Sequence, residues 1–112
     1  MRRDLEQASV CLAIENHDRL TARQFHEIVT RLDSPSIGIC LDTVNSFGAL
    51  EGPEVVVSTL APFVANLHVK EFTIRRVDHQ LGFVIEGCPA GCGRLNMPRL
   101  LEQLEVSAHP FN

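Results

Sequence analysis

Three apolar runs in this chain each stop on a side chain of metal-ligating type, and no other feature restricts the fold so tightly. CLAI, residues 11–14, meets Glu15, Asn16 and His17 with no turn residue between. SIGICL, residues 36–41, ends on Asp42. VANL, residues 64–67, ends on His68, with Lys70 and Glu71 behind it. The end residues stand 27 and then 26 positions apart. Short apolar runs of this kind read as buried strands, here over 9–15, 37–42 and 64–70.

The segments between them carry helix signals. In LTARQFHEIVTRL, Thr21 and Gln24 have the form of a capping box. Phe25, Ile28, Val29 and Leu32 then recur at helical spacing. Asp33-Ser34-Pro35 ends that helix, because the residue before a proline avoids the helical region. SFGALEG reads as a loop, and Pro53 opens a second helix that ends near Pro62. Arg2 to Ala8 reads as the tail of a helix. An irregular stretch, 72–96, holds extended pieces at 72–77 and 81–85, and its glycines 87, 91 and 93 mark turns. Asn96 caps a last helix with Pro98 in its first turn and Leu100, Leu101 and Leu104 on one face. The closing HPFN reads as the start of another strand.

The order β-α-β-α-β-loop-α predicts an α/β fold with a parallel sheet and helices outside it. Right-handed crossovers bring every strand's C-terminal end to one side, where such sheets and (β/α)₈ barrels bind ligands. Glu15, Asp42 and His68 are then expected at one height, and barrel curvature makes them converge. Two carboxylates and an imidazole form an oxygen-rich site for Mn²⁺, Mg²⁺, Co²⁺ or Zn²⁺. A metal there polarises a carbonyl or hydroxyl oxygen, and a neighbouring carboxylate serves as general base.

Composition narrows the function classes. A chain of 112 residues allows one domain at most. Lys+Arg is 10 against Asp+Glu 14, a net charge of −4, with no Trp or Tyr, so no cationic, aromatic surface for nucleic acid is expected. No run approaches the ~18 apolar residues of a membrane span. MRRDLEQAS lacks the apolar core of a signal peptide. The four cysteines, Cys11, Cys40, Cys88 and Cys92, show no paired CxxC spacing, and the simplest reading is a reduced, cytoplasmic protein. Asn16 and His17 are candidates to hydrogen-bond a substrate, to support the ligand residues from behind, or to cap the following loop. Arg75 is a candidate to hold a substrate phosphate or carboxylate through its guanidinium.

ENH at 15–17, LDTVN at 41–45, LHVKE at 67–71 and GFVIEGCPAGCGRLN at 82–96 together resemble the sugar phosphate isomerase/epimerase family. This is the family of xylose isomerase-like TIM barrels, which also takes in the endonuclease IV-type DNA repair enzymes. The resemblance implies a partial (β/α)₈ barrel, about its C-terminal half, with residues 1–112 as one domain truncated at both ends; a full barrel needs ~250 residues. It implies a divalent metal held by Glu, Asp, His and a second Glu. The first three map onto Glu15, Asp42 and His68, and the second glutamate would fall just past Asn112. It further implies that Glu15 acts as catalytic acid/base in moving a proton between neighbouring carbons of a small sugar or sugar phosphate, through an enediolate. Lys70 matches the family's HxK lysine and would face the same mouth as a substrate-binding residue. Glu71 stands where the family commonly has Asp, and Cys92 and Asn96 stand in the glycine-rich loop where an acidic residue is usual. Three alternatives follow: a metal-dependent isomerase/epimerase, an endonuclease IV-like hydrolase drawing on His17 and His79, and an inactive piece. Exposed sheet edges imply self-association or pairing with a missing barrel half.

Overall fold

The capping signal at Thr21 operates as its residues dictate. In a computed structural model of the chain, which describes residues 2–79 and 81–106, the Thr21 hydroxyl accepts from Gln24 N, and the Gln24 side chain accepts from Thr21 N at 2.8 Å. That box opens α2 (Ala22–Leu32), and Asp33 closes it in the left-handed region at φ 42°. The stop is therefore a left-handed C-cap, with Pro35 two residues further on. The preceding helix, α1 (Arg2–Ala8), has no buried residue. It is tied to the end of α2 by Arg2 Nη1 to Leu32 O at 3.1 Å and Ser34 Oγ to Glu6 Oε1 at 2.8 Å.

Strands β1 (Leu12–Glu15), β2 (Ile37–Asp42) and β3 (Val64–His68) form one parallel sheet in the order β1-β2-β3. α2 and α3 (Pro53–Leu60) are the crossovers, and a 3-10 turn over Asn45–Ala49 precedes α3 in the stretch expected as a loop. α4 (Met97–Val106) begins at Asn96, whose Oδ1 accepts from Arg99 N at 3.2 Å. Ile39, Leu41 and Val64 turn one face of the sheet toward Ala22, Phe25 and Val29 of α2, Val56, Val57 and Leu60 of α3, and Leu100 of α4. Ile39, Leu41 and Leu60 have no solvent exposure, and each fully buried side chain of this size stabilises by roughly 1.5–3 kcal/mol.

Two expectations about this core change. Only β2 is buried along its whole length; β1 and β3 are edge strands with exposed residues. Ile28 and Leu101 face solvent at 37% and 41% exposure, and Ala22 and Leu104 take the inward positions. The strands expected at 9–15 and 64–70 are also shorter, because residues 9–11 and 69–70 have no ladder partner.

The stretch after His68 departs most from expectation. Its two extended pieces pair with each other as an antiparallel hairpin, β4 (Glu71–Arg76) with β5 (Phe83–Cys88), separate from the parallel sheet. Phe72 roots the hairpin by meeting Phe47 edge-on, with ring centroids 4.7 Å apart. The loop from Pro89 to Asn96 then folds back over this root. Gly91 sits at φ 83°, and a Cβ on Gly93 would lie 2.4 Å from Phe72 O, so neither position accepts a side chain without strain. HPFN, 109–112, lies outside the described residues. Among the described residues no helix is long and apolar enough to cross a membrane.

Candidate metal centre

Glu15, Asp42 and His68 come together at the C-terminal edge of the sheet. One ligand atom from each lies within 4.8 Å of the others. They do not share a height. Glu15 pairs with Cys40, two residues before Asp42, while Asp42 pairs with His68. An irregularity between β2 and β3 makes the convergence possible. Ile39 pairs with Val64, but Cys40 pairs with Asn66, so Ala65 is an extra residue in β3. Side chains alternate along a strand, so without that residue Leu67 would stand opposite Asp42. The bulge keeps Val64 on the helical face and puts Asn66 and His68 on the face that carries Cys40 and Asp42.

Asp42 is the fixed member. Its side chain has no solvent exposure, and Oδ1 accepts from Val44 N at 2.9 Å and Asn45 N at 3.0 Å. Its backbone is clamped by Asn16, whose Oδ1 accepts from Asp42 N at 2.6 Å and whose Nδ2 donates to Asp42 O at 2.9 Å and Ser46 Oγ at 3.0 Å. Asn16 is fully buried and its amide is fully used, which removes it as a direct substrate contact; it is the clasp between β1 and β2. Asp42 Oδ2 is buried without a hydrogen bond. Lys70 Nζ stands 2.7 Å from it in an ion pair.

Glu15 and His68 are the exposed members, with Glu15 Oε1 3.2 Å from His68 Nδ1. Asn45 joins the parts. Its Nδ2 donates to Glu15 Oε1 at 3.2 Å, and its Oδ1 accepts from Lys70 Nζ at 2.9 Å. The sequence marks Asn45 only by its place three residues after Asp42. Thr43 sets the lysine's backbone: its Oγ1 accepts from Lys70 N at 2.8 Å and donates to Lys70 O at 2.6 Å. The close contact with Asp42 holds the Lys70 ammonium above the ordinary lysine value; burial pulls the other way, and the charges of Asp42 and Glu15 add to the rise.

The remaining candidates lie elsewhere. His17 turns its Nδ1 to Asp18 in a short contact on the exposed loop after β1. His79 lies in the turn of the hairpin, outside the cluster. Arg75 is on the hairpin, its Nε 3.2 Å from Glu86 Oε2, with both side chains more than half exposed. Its Nε is thus turned to a carboxylate of the neighbouring hairpin strand. Glu71 has a structural task that its place behind Lys70 did not reveal. It is buried, and its Oε1 accepts from Phe72 N and Leu95 N, each at 3.0 Å. Burial pushes its carboxyl up, but the N–H groups of Leu95, Phe72, Arg94 and Gly91 together hold it below its ordinary value. An open cleft of about 590 Å³, lined by Val44, Lys70, Glu71, Gly87 and Cys88 among others, lies beside the cluster's lysine.

The residues present suit a divalent cation. A buried anionic oxygen without a hydrogen bond, a second carboxylate and an imidazole are hard and borderline donors of the kind such ions take. Comparison with known proteins agrees with the fold. A sequence model described as xylose isomerase-like TIM barrel matches residues 3–108. A 3-oxo-isoapionate decarboxylase of Pectobacterium atrosepticum is 34% identical over 97% of this chain and 40% of its own length. The uncharacterized protein YihM of Escherichia coli is 25% identical over 93% of this chain and 31% of its own. The crystal structure of a xylose isomerase domain protein from Planctomyces limnophilus superposes with a TM-score of 0.71 at 17% identity, covering 96% of this chain and 39% of that one. The chain thus spans about two fifths or less of the length of each.

Proposed function

Because the chain belongs to the xylose isomerase-like TIM barrel family, we propose that Glu15, Asp42 and His68 hold a divalent cation, and that the site works beside a carbonyl of a small sugar-derived substrate. The observation that carries this reading is the convergence of the three side chains, with one ligand atom of each within 4.8 Å of the others and the Asp42 carboxylate buried. A bound cation supplies Lewis-acid polarisation of a substrate oxygen. Asp42, clamped by Asn16 and two backbone N–H groups, fixes the site. Glu15, exposed and oriented by Asn45 and His68, gives or takes the proton at carbon. The substrate lies in the cleft beside Lys70, whose ammonium attracts an anionic group.

Two reactions use this arrangement and differ in the bond that breaks. In isomerisation or epimerisation, Glu15 removes a proton from the carbon next to the carbonyl and returns it at a neighbouring carbon or on the other face. In decarboxylation of a 3-oxo acid, the C–C bond to the carboxylate breaks, CO₂ leaves, and the electron pair left on carbon takes a proton from protonated Glu15. We favour decarboxylation, because the relative matched along 97% of the chain is named a decarboxylase of a 3-oxo acid. A multi-metal hydrolase has less support: among the described residues this is the one group of three or more metal-ligating side chains.

The test is Mn²⁺ calorimetry on the chain and on Asp42→Ala, followed by incubation with 3-oxo sugar acids and ketoses in D₂O. Stoichiometric binding lost in the variant supports the metal reading; a folded chain that binds no Mn²⁺ sinks it. Release of CO₂ with deuterium entering the product supports decarboxylation. Deuterium entry with no CO₂ favours isomerisation.

A further inference from the structure

Asp42 and Lys70 are unequal partners. The aspartate cannot move: Oδ1 is pinned by two N–H groups and the backbone by Asn16. The lysine can, because its side chain is 53% exposed while that of Asp42 is 0% exposed. Oδ1 already accepts two hydrogen bonds, so Oδ2 is the oxygen left for a metal. It is the same oxygen that Lys70 Nζ approaches at 2.7 Å. A divalent cation and an ammonium on one carboxylate oxygen repel each other, and the burial of that oxygen strengthens the repulsion. Lys70 has a second place to stay, since Asn45 Oδ1 accepts from Nζ at 2.9 Å while Asn45 Nδ2 holds Glu15.

Resting on the reading that Glu15, Asp42 and His68 hold a divalent cation, we propose that Lys70 and that cation alternate on Asp42 Oδ2, with Asn45 as the positioning residue that keeps the displaced ammonium beside Glu15. Without metal, Lys70 neutralises a buried carboxylate that would otherwise stand alone at high cost. With metal, Lys70 leaves Oδ2 and hangs on Asn45 at the mouth of the cleft. The lysine thus stabilises the metal-free chain and weakens metal binding.

The experiment is Mn²⁺ calorimetry and metal-free thermal unfolding on the wild type, Lys70→Met and Lys70→Gln, with circular dichroism to establish folding. Two replacements are used so that one folded variant suffices. Removing one close positive charge is expected to tighten Mn²⁺ binding about tenfold, to lower the metal-free Tm, and to enlarge the Tm rise that Mn²⁺ produces. Binding by the Lys70 variants with none by the wild type also supports exchange. Equal or weaker binding by folded Lys70 variants overturns exchange while the metal reading stands. No Mn²⁺ binding by any folded form overturns both. Asn45 is tested by a double-mutant cycle. Asn45→Ala must change Mn²⁺ affinity differently in the wild-type and Lys70→Met backgrounds; equal changes mean that Asn45 acts on Glu15 alone.

Discussion

Strand β2 and the hairpin strands β4 and β5 are each six residues long, yet they live in opposite surroundings. Every residue of β2 is buried, with a strand on each side and helices over one face. In the hairpin only Glu71 and Phe72 are buried; Ile74, Phe83 and Ile85 stand 37%, 67% and 46% exposed. The sheet is held by contacts between residues far apart in sequence, and the metal-type cluster is a by-product of its register. The hairpin is held by its own ladder and fastened at one end. Damage to the sheet is therefore expected to reach the cluster, while damage to the hairpin beyond its root is not.

Asn16→Leu gives the largest effect. The substitution keeps the branching and the number of side-chain heavy atoms but strands Asp42 N, Asp42 O and Ser46 Oγ in a place without solvent. With ~1–3 kcal/mol for each unsatisfied buried group, a loss of roughly 3–5 kcal/mol is expected in urea unfolding, together with loss of Mn²⁺ binding. A variant within about 1 kcal/mol of wild type would mean that the clasp does not govern the register. Leu41→Ala ranks next. Leu41 has no exposure and packs in the central core, and deletions of this kind cost about 3–5 kcal/mol. Ile85→Ala removes a similar side chain from the exposed hairpin, and less than ~1 kcal/mol is expected because little burial is lost. Comparable losses in the two variants would break the contrast between the regions.

Glu71→Gln probes the one buried carboxylate that joins them, since Glu71 begins β4 and receives N–H groups from the returning loop. Its carboxyl is held below its ordinary value of 4.5 in the folded chain. The stabilisation is thus fully present above that value and is lost as the pH falls through the depressed folded value. The stability gap between wild type and Glu71→Gln, about 1–3 kcal/mol at pH 7, should shrink on acidification below 4.5. A gap constant from pH 7 to pH 3 would show that the charge has no part in holding the loop.

The same contrast explains what could be read in the sequence. The helix starts at Thr21, Pro53 and Asn96 are local chemistry, written in a few adjacent residues, and the parallel sheet was legible from the alternation of apolar runs with helical segments. The three cluster residues were legible because each closes an apolar run. The bulge at Ala65 was not, because an extra residue in one strand shows only against its partner's register. Asn16 read as a candidate for substrate contact, ligand support or loop capping, and its burial as the clasp on Asp42 was not legible because it depends on β2 lying alongside. The antiparallel pairing of β4 with β5 was missed for a similar reason: the two extended pieces were legible, but the turn between them carries no two-residue hairpin signal to show that they pair. The task of Glu71 was invisible because its partners arrive from a loop some twenty residues later.

Arg75→Ala carries the smallest expected effect and the sharpest test of how separate the hairpin is. As a sequence, the arginine follows the His68–Lys70 segment closely and suits a substrate anion. As a structure, its Nε faces Glu86 Oε2 at 3.2 Å across the ladder, and both side chains stand in solvent. Exposed pairs of this kind contribute about 0.2–1 kcal/mol and are screened by salt. The variant should unfold within roughly 0.5 kcal/mol of wild type at 0.15 M salt. Its Mn²⁺ affinity should be unchanged, because its Nε is turned to Glu86 across the hairpin ladder. Calorimetry and urea unfolding on one preparation check both. A fall in Mn²⁺ affinity with unchanged stability would mean that the hairpin folds over the cluster when metal is present, and the two regions would then have to be treated as one site.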